Sequence, residues 1–258
     1  MITIKNLNKY FGRHHVLKDV NLQLGDGECI AFLGPNGCGK TTLMKCLLGL
    51  VTPTSGTVTI DGMAVADNPE CRRQIGFMPQ KGSFPQNMTV AQTIEAIMSV
   101  RENGGERDME LYDAYDISSF AAKPARTLSG GMEQKLSASL AFMFSPRILI
   151  LDEPAASLDP LSAEILHKKI IKEKDNGKLI FITSHMLSHL DDMATQVVLM
   201  DEGRIVLHKE VGELLAQTHA DTIAKAVVEV FKCQTSGVNS LTPEVKEVKE
   251  VKKLSQMI

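Results

Sequence analysis

Residues 28–50 read ECIAFLGPNGCGKTTLMKCLLGL. The first part, ECIAFLG, is a short and nearly continuous apolar run, the pattern of a strand buried on both faces. GPNGCGKT, Gly34 to Thr41, follows it at once and fits the spacing G-x-x-x-x-G-K-[ST]. TTLMKCLLGL then has helical character. Strand, glycine loop and helix in this order predict an α/β fold with a phosphate-binding loop. Glycines let successive backbone N–H groups turn toward an anion, and the helix N-terminus adds its positive dipole end. Gly34, Pro35, Asn36, Gly37, Cys38 and Gly39 form the loop. Lys40 would reach β- and γ-phosphates, the Thr41 hydroxyl would ligate Mg²⁺, and Thr42 would touch phosphate more peripherally. Cys38 reads as a small residue filling the loop rather than as a redox centre.

Outward from the loop, two further apolar strands stand at RILIL (147–151) and KLIFIT (178–183), with a helix around 161–174 between them. That alternation predicts parallel strands joined by crossover helices. RILILDEP, Arg147 to Pro154, places Asp152 and Glu153 at the C-terminal end of its strand, where open α/β sheets bind ligands. Adjacent carboxylates there would divide the labour: Asp152 holds Mg²⁺ and Glu153 acts as general base on an attacking water. Upstream of the loop, ITIKNL and VLKDVNLQL read as strands between turn signals.

Between Gln80 and Leu128 the pattern changes, with TVAQTIEAIMSV and DMELYDAY helical in character. This predicts a small helical subdomain, about 84–127, inserted in a domain spanning 1–217. From 218 to 258 strand character is lost. ADTIAKAVVEVF has helical potential, and TPEVKEVKEVKKL carries valines every third residue among mixed charges. The reading there is a partly disordered extension, a mobile tail rather than a docked element.

Composition sets outer limits. The 258 residues are 43% hydrophobic, enough for a sizeable core, and carry 28 basic against 31 acidic side chains. A formal charge of -3 gives no global positive field, so no nucleic acid is expected as partner. The five cysteines show neither CxxC pairs nor an even disulfide framework, which fits a reducing, cytoplasmic setting. No apolar run reaches the length of a membrane-spanning helix. If the chain acts on a membrane, another chain supplies the membrane part.

Just before the Asp-Glu strand stands LSGGM, Leu128 to Met132. Ser129, Gly130 and Gly131 open a segment with Met132, Leu136, Leu140 and Met143 at helical spacing, and a serine with bare backbone at a helix start makes an anion site. With the phosphate loop and the Asp-Glu strand in this order, residues 1–215 resemble an ABC-transporter ATP-binding subunit. The resemblance implies a P-loop NTPase (RecA-like) core of the ABC ATPase type, with an N-terminal antiparallel β subdomain and an inserted α-helical subdomain. It implies ATP and Mg²⁺ as cofactors, and a homodimer in which the signature of one copy closes over the phosphate loop of the other. It also implies a separate polytopic membrane permease, with this chain peripheral on the inner face of the cell membrane.

Further roles are implied residue by residue. Gln80 resembles the glutamine that senses Mg²⁺ and the attacking water. Asp159, in SLDP, resembles the residue of the loop crossing the dimer interface. His185 resembles the switch histidine that contacts the γ-phosphate. Phe11, or its neighbour Tyr10, would stack on adenine. His185 and His189 also have a zinc-compatible i,i+4 spacing, but the position after a third apolar strand favours the switch role.

Two departures stand out: Met132 where the family usually has Gln, and Glu133 where a basic residue is common. Among transporters, the LSGG-x-x-QK signature, SASLAFMFSPRILILDEPAASLDPLS and ITSHMLSHLDD look most like the ATP-binding subunits serving nitrous-oxide-reductase copper-site maturation. Other prokaryotic exporters with separate membrane subunits are the near rivals. A soluble ABC ATPase acting on a cytosolic scaffold or assembly partner is the alternative from a different class.

Overall fold

A computed structural model describes residues 1–66, 68–101, 107–184 and 186–235, with side chains to Lys232. The apolar run after the first glycine turn becomes β3 (Cys29–Leu33), buried at every position. Parallel strands cover it on both sides, β8 (Leu179–Thr183) and β9 (Gln196–Asp201). With β6 (Ile75–Met78), β7 (Ile148–Asp152) and β10 (Arg204–Glu210) they make a six-stranded sheet in the order β10-β9-β3-β8-β7-β6. Only the β9–β10 hairpin in it is antiparallel. A second sheet, antiparallel, has the order β2-β1-β4-β5, built from β1 (Ile2–Phe11), β2 (His14–Leu24), β4 (Ser55–Ile60) and β5 (Met63–Ala64).

The period-2 alternation of side chains gives the central sheet two cores. Ile30, Phe32, Ile148, Ile150, Phe181 and Val198 pack toward the antiparallel sheet and α1 (Lys40–Leu47). The Phe32 and Phe181 ring centroids are 4.6 Å apart on that side. Ala31, Leu33, Leu149, Leu151, Ile180 and Leu199 face the helical layer. Continuous apolar strands are therefore required: each residue of β3, β7 and β8 feeds one core or the other.

After α2 (Pro69–Arg73) and β6, the chain enters the helical segment: α3 (Val90–Val100), α4 (Glu110–Ala114), 3-10 turns at Ile117–Phe120 and Ala125–Thr127, then α5 (Gly130–Phe142). A capping box starts α3, since the Thr89 hydroxyl accepts from the Gln92 N–H at 3.2 Å and the Gln92 side chain accepts from the Thr89 N–H at 2.9 Å. The segment is fastened to α6 (Pro160–Asp175) by the buried Lys169. Its ammonium donates to Asp108 at 2.5 Å and Glu110 at 2.7 Å, and pairs with Glu173 at 2.8 Å. The Tyr115 hydroxyl adds a bond to the Ser162 carbonyl at 2.9 Å.

The C-terminal part differs from the sequence expectation. After α7 (Val211–Thr218), residues Ile223–Thr235 form α8, which docks on the core instead of forming a mobile tail. Ile223, Ala226, Val227 and Val230 fall at i, i+3, i+4 and i+7 and are all buried. The Ile223 N–H donates to Asp191 at 2.7 Å, anchoring the first turn. The rest of the expected extension, 236–258, lies outside the described residues.

Candidate nucleotide site

The phosphate loop hangs between the end of β3 and the start of α1. Its backbone uses the left-handed region at Gly34 (φ 149°), Gly37 (φ 80°) and Gly39 (φ 113°). A Cβ at Gly34 would lie 2.1 Å from the Met200 carbonyl oxygen, so no other residue fits there. The β9–β10 hairpin braces the loop from outside, as the Gly203 N–H donates to the Cys38 carbonyl at 2.9 Å. The Lys40 side chain arches back over the loop, its ammonium donating to the Gly34 carbonyl at 2.5 Å and the Pro35 carbonyl at 3.1 Å. Cys38 is buried beneath, and that burial raises its thiol above the ordinary range. A protonated, enclosed thiol suits the loop-filling reading.

Across from the loop, β7 ends at Asp152 with Glu153 just beyond it. The Thr183 hydroxyl, paired in register with Asp152 on β8, donates to the Asp152 carboxylate at 2.7 Å and accepts from the Glu153 N–H at 3.0 Å. Glu153 adopts φ 52°, a left-handed conformation that costs a non-glycine residue about 1–2 kcal/mol. The turn is held by Gln134 of α5, only 2% exposed, whose amide donates to the Pro154 carbonyl at 3.0 Å and the Glu153 carbonyl at 3.4 Å.

One cleft of about 180 Å³ gathers Asn36, Gly37, Gly39, Lys40, Thr41 and Thr42 with Gln80, Asp152 and Glu153, and Val16 forms part of its wall. Residues from four separate stretches of sequence thus meet at the C-terminal edge of the parallel strands. The Thr41 hydroxyl, the Gln80 amide and the Asp152 carboxylate are all-oxygen donors of the kind a small, hard cation takes. Asp152 spends one oxygen on Thr183 and keeps acceptor capacity on the other.

Ser129, Gly130 and Gly131 lie elsewhere on the molecule. The Ser129 hydroxyl caps α5 by accepting from the Met132 N–H at 3.3 Å, and the two glycines sit against Ser157 in the turn after β7. Asp159 caps α6, accepting from the Ser162 hydroxyl at 2.7 Å and the Ser162 N–H at 2.9 Å, with Lys135 at 3.2 Å. The Ser162 hydroxyl and N–H, then Lys135, hold its carboxyl well below the usual carboxylate range.

Phe11 is half exposed at the tip of the β1–β2 hairpin, with the Lys9 ammonium 4.8 Å from its ring centroid. Tyr10 is stacked on His15 with centroids 3.9 Å apart, so one face of its ring is already covered. Phe11 is therefore the less encumbered platform of the two. His185 lies outside the described residues, and with it the zinc-spacing reading of His185 and His189. His189 meets the edge of His167, which bonds Asp192 at 2.9 Å. Among the described residues no group of three or more His, Cys, Asp or Glu is arranged to hold a metal ion.

Sequence reasoning passed over two residues of this site. Thr183 is legible only once the β7–β8 register pairs it with Asp152. Gln134 was seen as part of an altered signature, with no hint that its amide braces the Glu153 turn.

This arrangement defines a P-loop ATPase of mixed α/β build. Residues 17–156 match the family described as ABC transporter, and the chain belongs to it. It is 32% identical over 210 residues to a lantibiotic transport ATP-binding protein of Streptococcus pyogenes, covering 81% of this chain and 91% of that one. It is 30% identical over 250 residues to the Nod factor export ATP-binding protein I of Cupriavidus metallidurans, covering 94% and 81%. Among solved structures, the ATP-binding subunit of an ABC transporter superposes with a TM-score of 0.83 at 26% identity, covering 90% of this chain and 99% of that one. A dimeric bacterial ABC transporter cassette gives 0.72 at 25% identity, covering 82% and 99%. The chain is thus an ATP hydrolase that uses ATP with Mg²⁺.

Proposed function

We propose that this chain is the ATPase subunit of an ABC exporter, working as a pair of copies bound to a separate membrane permease. The observation that carries the proposal is the cleft joining Lys40 and Thr41 to Gln80, Asp152 and Glu153. The loop N–H groups and the Lys40 ammonium bind the β- and γ-phosphates. Thr41, Asp152 and Gln80 hold Mg²⁺, which neutralises the charge that builds up on the leaving ADP. Glu153 accepts a proton from water as its oxygen attacks the γ-phosphorus and the bond to the ADP oxygen breaks. His185 orients that water, and Phe11 stacks on the adenine.

Ser129, Gly130 and Gly131 make a second anion-binding device, set apart from the phosphate loop of their own chain. Its natural ligand is the γ-phosphate on the other copy, with Asp159 at the same junction, and this is the physical reason for pairing. The dimeric cassette among its structural neighbours supports that reading. No helix among the described residues is long and apolar enough to cross a membrane. The transport named for the relatives therefore calls for a permease in another chain, with this one peripheral on the inner face of the membrane.

Glu153→Gln should retain ATP binding, lose turnover by about 10²–10⁴-fold, and accumulate an ATP-bound dimer by size-exclusion chromatography. Hydrolysis at the native rate would sink the general-base assignment. Purification from the native envelope should bring down a polytopic membrane protein; a soluble scaffold in its place would overturn the transporter reading. For the cargo we propose copper-site maturation of nitrous oxide reductase, supported by the runs around the signature and after β8. Fully metallated reductase in cells lacking this chain would refute it.

A further inference from the structure

A groove of about 670 Å³ runs between α8 and the turn that follows β8. Met186, Leu187, Val227, Val228 and Phe231 make it largely apolar, and the exposed Lys225 and Lys232 stand among its walls. Met186 is 56% exposed, a large apolar side chain left at the surface. We propose that this groove seats the chain's own residues 244–258, docked as an amphipathic helix alongside α8.

The chain's course supplies the first argument. It leaves the described residues at the end of α8, and Phe231 and Lys232 in the last turns of that helix already line the groove. The next residues, SGVNSLTP (236–243), are rich in turn formers and suit a reversal of direction. Thr242-Pro243-Glu244 is a helix-start pattern: Thr at the N-cap, Pro at the first helical position, an acid in the first turn. Lys252 and Lys253 toward the far end complement the dipole. A helix over 244–258 would be roughly 22 Å long at 1.5 Å per residue, close to the ~20 Å of α8.

Pattern supplies the second argument. At 100° per residue, Val248, Val251, Leu254 and Ile258 fall within an arc of about 120°. Lys246, Lys249, Lys252 and Lys253 fall together on the opposite face, which leaves them in water. Glu247 and Glu250 lie on the apolar side, the sign that matches Lys225 and Lys232 of the groove. An apolar stripe with acids beside it thus meets an apolar groove bearing lysines. The inference needs no assumption about ATP hydrolysis.

A benzophenone photocrosslinker placed in the full-length chain as Val228→p-benzoylphenylalanine tests it. Irradiation should give a monomer-sized product whose cross-linked peptide, read by mass spectrometry, comes from 244–258. The yield should fall at least tenfold when Val248→Asp and Val251→Asp are added. Cross-links to a second copy, to a co-purified protein or to nothing would each overturn the proposal. As an independent measurement, the full-length double variant without crosslinker should show at least a twofold rise in the fluorescence of an apolar dye such as anilinonaphthalene sulfonate. Unchanged dye binding would equally count against it.

Discussion

Gln134 and Thr183 do their work through single hydrogen bonds. Neither is a candidate to touch nucleotide, but each fixes the peptide group of a residue that is. The Gln134 amide is buried, and its acceptors are the carbonyls of Glu153 and Pro154. Gln134→Leu should therefore cost about 1–3 kcal/mol of stability, because the two carbonyls lose their buried donor. It should also lower kcat more than KM, since the Glu153 turn sits at φ 52° and depends on its surroundings to stay there. Steady-state ATPase assays with denaturant unfolding check both; an unchanged kcat would reduce Gln134 to a packing role. The phosphate loop itself was legible in one stretch of sequence, because its geometry is set by local glycines. Thr183 and Gln134 were not, because their partners lie 31 and 19–20 positions away along the chain.

Among elements, the joint between α4 and α6 depends on Lys169. Burial, the largest single influence, pulls its pKa down, but Asp108, Glu110 and Glu173 together outweigh it and hold the ammonium above the usual lysine range. A group whose pKa rises on folding contributes stability that is complete below its unfolded value, about 10.4, and lost as pH climbs through the folded one. Glu110 is lowered, chiefly by Lys169 and Lys172, so its contribution is complete above about pH 4.3 and lost as pH falls further. Thermal unfolding should thus show a plateau at neutral pH, with losses beginning only in the strongly alkaline and acid ranges. Lys169→Met removes the shared cation from buried carboxylates and should destabilise by about 3–5 kcal/mol, read by urea unfolding. A change under 1 kcal/mol would show that Lys178, which also pairs with Glu173, suffices alone. The helices on either side of this joint were readable from periodicity, whereas the joint was not: Lys169 reads in sequence as one more surface lysine of a charged helix.

For the molecule as a whole, the central sheet divides the protein into two cores, and α8 closes the one facing the helical layer. Ile223→Ala should cost about 2–5 kcal/mol in denaturant unfolding, since that side chain is fully buried. A negligible loss would mean that α8 is not part of the cooperative unit. By itself the sequence determined the α/β class, the phosphate loop, the Asp152-Glu153 pair and the order of the motifs, because strand burial and glycine turns leave contiguous, local patterns. Tertiary structure alone decided which of these motifs share a cleft: Gln80, Asp152 and Glu153 join the loop, while Ser129 to Gly131 stand apart at the head of α5. It also decided that 223–235 is part of the folded body. The reason is the same in both cases: an amphipathic stripe or a capped helix start shows that a partner surface is needed, and only the parallel strand order shows where that surface lies.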